Sequence, residues 1–219
     1  MISHIFELIF PRKCIFCRSI LAKNESDLCH NCRAVAPEFT KSKKQIMFVA
    51  HWTAMWYYKG DVRSCIHRFK FGNARGYADI FARHLAVKLQ EEDFADKIDA
   101  ISWVPTSPLR RFKRGYDQSE LLAKALGKEL SIPVIKALRR VRHTPPQSAI
   151  HGSAQRRANI MNAYKAYRPQ QLSGLRILLL DDIVTTGSTA SECAKTLLLC
   201  NVSEVYLAAI AAASHDKNK

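Results

Sequence analysis

No run of apolar residues in this 219-residue chain approaches the length that crosses a bilayer. An integral membrane segment is therefore not expected. The start, Met1 to Phe10, is apolar, but it lacks a basic n-region, Glu7 interrupts it, and no small-residue cleavage site follows. A secretory signal is not expected either. A short amphipathic helix over 1–11, stopped at Pro11 and packed on the next module, fits better, and a cytoplasmic location follows. Internal repeats and low-complexity segments are absent. Acidic residues are scarce: 19 Asp and Glu face 34 Lys and Arg, a formal net charge of +15. That imbalance points to an anionic partner, whether nucleic acid or a phosphorylated substrate, against the alternative of a merely solvated basic surface. The apolar fraction of 47% suits one main core with a small appendage.

Four of the seven cysteines form two pairs, Cys14-x2-Cys17 and Cys29-x2-Cys32, eleven residues apart. Each pair makes a tight knuckle presenting two sulfurs, and four thiolates suit a closed tetrahedral zinc site, structural or in recognition. A redox pair and disulfides are the alternatives, and a reducing cytoplasm disfavours the disulfides. His30 inside the second knuckle is not an expected ligand. Cys65, Cys193 and Cys200 fall on helical patterns. The expected units are 1–44, a leading helix with the zinc module; 45–215, the main domain; and 216–219, a disordered tail.

Along the main domain, apolar periodicity alternates between strand and helix. Two short strands are expected over 46–58. Helices follow over about 61–70, with Asp61 as cap and Gly72 as stop, and over 76–92, with Ile80, Phe81, Leu85 and Leu89 on one face. Ile98–Val104 reads as a buried strand, and Asp117 or Ser119 opens a helix to about Leu130. Val134–Val141 reads as a strand, 142–155 as a long loop, 154–161 as a short helix and 163–167 as a strand. Arg176–Leu180 is a strand, then a helix runs to about Cys200 and a strand spans 204–210. Such alternation predicts a parallel α/β sheet covered by helices on both faces.

Three segments carry anion-binding chemistry. In the first, the strand to Leu180 meets Asp181 and Asp182, then Thr185, Thr186, Gly187, Ser188 and Thr189, then a helix start. Hydroxyls, backbone N–H groups and the helix dipole suit a phosphate monoester, and the acidic pair suits vicinal sugar hydroxyls. The second is Pro105 to Ser119, with Thr106 at its start and Arg110, Arg111, Lys113 and Arg114 within five positions, placed after a strand as ligand loops of α/β sheets are. The third runs from Arg139-Arg140-Val141-Arg142 through Thr144-Pro145-Pro146-Gln147 to Arg156-Arg157-Ala158-Asn159, as a cationic lid over pyrophosphate would. Trp52, Trp56, Tyr57, Tyr58 and Lys59 form an aromatic cluster that either stacks bases or fills a strand core. Arg12, Lys13, Arg18 and Lys23 make the zinc module a further contact for nucleic acid.

The 181–189 run resembles the phosphoribosyl-pyrophosphate (PRPP) signature of type I phosphoribosyltransferases. The zinc knuckles, Phe69-Lys70-Phe71-Gly72, Arg110-x3-Arg114-Gly115-Tyr116-Asp117-Gln118-Ser119, Thr144 to Gln147 and Arg156-x2-Asn159 together resemble ComF-type competence proteins over essentially the whole chain. Tyr116 and Asp117 depart from that family's Phe and Asn. The resemblance implies a type I phosphoribosyltransferase-like sheet joined to a zinc finger. Asp181 and Asp182 would hold ribose, and Thr185, Thr186, Gly187, Ser188 and Thr189 the 5-phosphate. Thr106, Arg110, Arg114 and Arg142 would hold pyrophosphate with Mg2+, and Cys14, Cys17, Cys29 and Cys32 a structural Zn2+. It further implies handling of incoming single-stranded DNA in natural transformation, with helicase or recombination partners. The alternative is a phosphoribosyltransferase of nucleotide metabolism with an unknown acceptor. Position 2 is Ile, so an amidotransferase's glutaminase half is not expected, and turnover is left open.

Overall fold

The computed structural model describes residues 11–40, 45–142 and 153–213. The expected leading helix, residues 41–44 of the linker, the Thr144–Gln147 block and the tail lie outside the described residues. Strands are β1 (His51–Tyr57), β2 (Ala100–Trp103), β3 (Leu138–Arg140), β4 (Tyr164–Ala166), β5 (Arg176–Val184) and β6 (Glu204–Ala212). Helices are α1 (His30–Ala34), α2 (Gly60–Phe71), α3 (Tyr77–Glu91), α4 (Pro108–Arg114), α5 (Gln118–Leu130), α6 (Ser153–Ile160) and α7 (Ser188–Leu198).

The main sheet is parallel throughout, in the order β1-β6-β5-β2. A strand covered on both faces reads as a continuous apolar run, and Ile177 to Leu180 are all fully buried. The two-residue period sends Ile177 and Leu179 to one face, where they meet Cys193, Ala194 and Leu197 of α7. Leu178 and Leu180 meet the other layer, built from Ile66, Phe69, Phe81, Leu85, Leu122 and Leu126 of α2, α3 and α5. Each sheet edge is closed by one further bridge, Glu38 to Trp56 outside β1 and Val134 to Ile101 outside β2. Those bridges occupy edge groups that would otherwise template association.

The cysteine knuckles share this core. Phe16 packs edge-on against Trp56 at 5.1 Å between centroids, and Arg68 of α2 donates to the carbonyls of Ile15 and Phe16. Arg18 donates to the Tyr77 hydroxyl at 2.9 Å, and Arg83 pairs with Asp27 at 2.8 Å.

Several expectations change. Residues 46–58 give one strand, β1, paired with β6 between His51 and Tyr57, because a turn at Met47 and Phe48, with Phe48 at φ +67°, takes up the start of the stretch. Its aromatics serve the core: Trp56 is buried, and Trp52 and Tyr57 pack on Phe39 at 5.1 and 5.2 Å. Helix α2 starts at Gly60, with Asp61 in its first turn rather than at the cap. The stretch 134–141 divides: Val134 bridges to β2, while β3 leaves to pair antiparallel with β4. The loop after β2 contains a helix, α4, capped by the Ser107 side chain and ended by Gly115 at φ +75°.

Candidate functional site

Strand β5 continues four residues past the expected end at Leu180, so Asp181 and Asp182 are strand residues. Successive strand side chains point to opposite faces, and the pair divides accordingly. Asp182 lies on the α2 side, its Oδ2 2.6 Å from Lys70 Nζ. Asp181 lines an open pocket with Ile183, Val184 and residues 185–190. Its Oδ1 accepts the Asp182 N–H at 2.8 Å. Burial, and then the neighbouring Asp182 carboxylate, push the Asp181 carboxyl up to about 8.

The loop that closes this pocket needs glycine. Gly187 has φ +74°, and a Cβ there would meet Ile46 Cγ1 at 2.9 Å. The Thr186 and Ser188 hydroxyls lie 2.8 Å apart, and Ser188 N–H donates to Thr186 Oγ1 at 3.4 Å. Ser188 opens α7, whose first turn carries no acidic residue. First-turn N–H groups have no partner within a helix. Here they belong to residues that line the pocket, which gives an anion both donors and dipole.

The Lys70 and Arg114 blocks, whose namesakes stand 44 positions apart in sequence, are locked together beside the acid pair. The Tyr116 hydroxyl donates to the Phe69 carbonyl, and Gln118 Nε2 to the Lys70 carbonyl at 3.3 Å. Arg114 donates to Gln118 at 2.9 Å and lies 4.7 Å over the Phe71 ring. Asp117 caps α5: it accepts from Ser119 N at 3.1 Å and Glu120 N at 3.4 Å, and also from Thr106 N at 2.9 Å. Its carboxyl, raised by burial, thus faces backbone donors and fixes the loop that carries Thr106. Arg110 is half-buried, and burial followed by the cations Arg140 and Arg114 hold its pKa below the usual guanidinium value.

Of the three arginines at and just past the end of β3, Arg139, Arg140 and Arg142, Arg140 is the one whose charge acts on Arg110. It donates to the Tyr164 hydroxyl at 3.3 Å and lies 5.5 Å over that ring. Arg142 turns back and donates to the Met161 carbonyl at 2.7 Å. The structure therefore gathers Thr106, Arg110 and Arg114 near the acid pair, while Arg142 is engaged on the hairpin. Arg140 was not singled out in the sequence, because nothing in the Arg139–Arg142 run tells which arginine the β3–β4 register aims inward.

The four cysteine sulfurs lie within 4.8 Å of one another, with Cys17 and Cys29 3.7 Å apart. A tetrahedral zinc with bonds of about 2.3 Å sets its sulfurs about 3.8 Å apart, so these thiols fit that ion. The first knuckle closes through Arg18 N–H to the Cys14 carbonyl at 3.0 Å, with Arg18 at φ +72°. In the second, Cys29 precedes α1 and accepts Arg33 N–H at 2.9 Å. The hydrogen bond with Ser19 pulls the Cys17 thiol down, while burial and the neighbouring thiols push Cys32 up. His30 is exposed, and the cluster comprises the cysteines alone among the described residues. Cys65 and Cys193 are core residues.

No protein-family model matches the chain. Among solved structures, it is similar to the glutamine PRPP amidotransferase from B. subtilis, 17% identical over 66% of this chain and 26% of that chain, with a TM-score of 0.40. It is also similar to a purine phosphoribosyltransferase from Pyrococcus horikoshii Ot3, 22% identical over 61% of this chain and 71% of that chain, TM-score 0.35. Among curated proteins, the DNA utilization protein YhgH of Salmonella typhimurium is 31% identical over 217 residues, 87% of this chain and 92% of that one. Competence protein F of Haemophilus influenzae is 30% identical over 226 residues, 93% of this chain and 98% of that protein. With that identity across nearly the full length of both chains, this protein belongs to the competence protein F family, the ComF-type family its motifs resemble.

Proposed function

We propose that the chain binds PRPP and handles incoming single-stranded DNA on the cytoplasmic side during natural transformation. One observation carries the PRPP reading: the strand-end acid Asp181 and the 185–189 loop line a single pocket at the start of α7. In this reading the 5-phosphate takes the loop hydroxyls and the α7 N–H groups. Asp181 and Asp182 accept the ribose hydroxyls, and Asp182 then shares or releases Lys70. Thr106, Arg110 and Arg114 face the pyrophosphate, and Arg142 joins only by leaving the Met161 carbonyl. Mg2+ supplies neutralising charge to that pyrophosphate, and Zn2+ at the four thiolates holds the knuckles. The DNA reading is supported by family membership, by the net charge of +15 and by relatives described as acting in competence and DNA utilization.

Calorimetric titration of PRPP with Mg2+ tests the pocket. The Asp181→Ala/Asp182→Ala protein, shown folded by circular dichroism, should lose binding, since the charge-assisted hydrogen bond of the Asp182 carboxylate is worth about 1.5–3 kcal/mol and a neutral one from Asp181 about 0.5–1.5 kcal/mol. Unchanged affinity would overturn the assignment. The cations gathered beside the pocket also favour a second reading, phosphoribosyl transfer to an unknown acceptor. Pyrophosphate release from PRPP with a nucleobase, in a protein that binds no DNA at low salt, would put that reading first.

A further inference from the structure

Helix α4 is amphipathic in the reverse sense. A surface helix ordinarily turns its apolar stripe to the core. None of the α4 residues is buried, and Leu109 and Phe112, one turn apart, are 53% and 87% exposed. The half-buried members are instead Arg110 and Arg114, which face the acid pair and Gln118. A phenylalanine that exposed contributes almost nothing to the core. A second open ring lies at the C-terminal end of α4, against Arg114: Phe71 is 60% exposed, with Arg114 at 4.7 Å and the His67 ring at 4.8 Å. Lys113 and Arg111 are exposed on the same short helix, Arg111 also reaching Glu120 at 3.4 Å.

Open rings interleaved with cations complement a polyanion whose flat apolar faces are uncovered. Unpaired bases stack on the rings while their phosphates meet the cations, whereas a duplex hides its base faces. We propose that the outward face of α4, Leu109, Phe112 and Lys113, is a stacking surface for single-stranded nucleic acid, with Phe71 as a further open ring at the end of the same helix. This rests on the DNA reading above and places the strand on the rim of the PRPP pocket, away from the β1 aromatics, which are spent in the core.

The test titrates full-length protein with fluorescent oligo-dT, with PRPP and Mg2+, and with vesicles containing anionic lipid, for wild type, Phe112→Ala and Lys113→Gln. Both side chains are exposed, and thermal melts verify that the variants stay folded. Phe112→Ala should weaken the oligonucleotide about tenfold with little change in salt slope. Lys113→Gln should reduce the magnitude of that slope by about 0.7. Both should keep wild-type PRPP affinity. If wild type binds the oligonucleotide and Phe112→Ala binds it equally well, the surface is wrong and the single-strand reading stands. A wild type that binds no oligonucleotide removes both. Loss of vesicle binding in Phe112→Ala, with oligonucleotide binding intact, overturns the proposal in favour of a membrane face.

Discussion

At the scale of single residues, Asp181 carries the plainest consequence. Its carboxyl titrates near 8 in the folded chain but near 4 when unfolded. From about pH 4 upward the unfolded chain therefore loses this proton first, and the folded state loses stability until the pH passes about 8. Asp181→Asn, whose amide oxygen still accepts the Asp182 N–H, should melt at a higher temperature than wild type at pH 7.5. The difference should shrink towards zero near pH 4. Equal melting temperatures at pH 7.5 would mean that the carboxylate carries no such cost. A binding acid held at the expense of stability is a common trade. The residue types of this site are legible in the sequence, since two acids, a Thr-Gly-Ser loop and a helix start have few other uses together. Their division between sheet faces is not legible, because carboxylates seldom continue a strand and the strand reads as ending at Leu180. Asp117 is half legible in the same way: the sequence offers it as the residue that opens the helix to Leu130, and it is the cap, but its burial and its third backbone donor, Thr106 N–H, show only in the fold.

At the scale of elements, α2 connects the two candidate ligand sites. Arg68 holds the carbonyls of Ile15 and Phe16, between Cys14 and Cys17 of the four-cysteine cluster. Phe69 fills the core, and Lys70 reaches Asp182. Loosening the knuckles therefore frees the helix end that positions the acid pair. Stripping metal with a chelator should weaken PRPP binding about fivefold, or about 1 kcal/mol of coupling, with the sheet intact by far-UV circular dichroism. Arg68→Ala in the metal-loaded protein should move affinity in the same direction. Identical PRPP titrations before and after chelation would show that the knuckles and pocket act independently. The α2, α3 and α5 stripes are readable from 3.6-residue periodicity because they pack on a layer that rewards it. Helix α4 is not, because it buries no residue and so leaves no apolar signature. The stretch expected as one strand over 134–141 divides for a related reason: β3 and β4 both fall where strands are expected, but their pairing across more than twenty residues has no local trace in the sequence.

At the scale of the whole molecule, strand-helix alternation announces a parallel sheet, but the order β1-β6-β5-β2 is set by long-range pairing that no local pattern encodes. The distribution of charge is likewise visible only in the fold. Of the basic residues on the knuckles, Arg12 donates to the Glu25 carbonyl and Arg18 to the Tyr77 hydroxyl. Two of the four cations expected to meet nucleic acid there thus also carry structural hydrogen bonds, which fix their position, though both are exposed. Lys13 and Lys23 are exposed. The net +15 therefore overstates the number of phosphates the protein can neutralise. For oligo-dT bound to the full chain, log affinity should fall linearly with log salt at about −0.7 per phosphate contact. Contacts from Lys13, Lys23, Arg111 and Lys113 alone would give a slope near −3, far shallower than the net charge suggests. Replacing Lys13 and Lys23 together with Gln should cut the slope roughly in half while leaving PRPP binding unchanged. A steep wild-type slope that the double substitution does not alter would place the nucleic acid on other cations, and salt-independent binding would mean that phosphate contact is not what holds the strand.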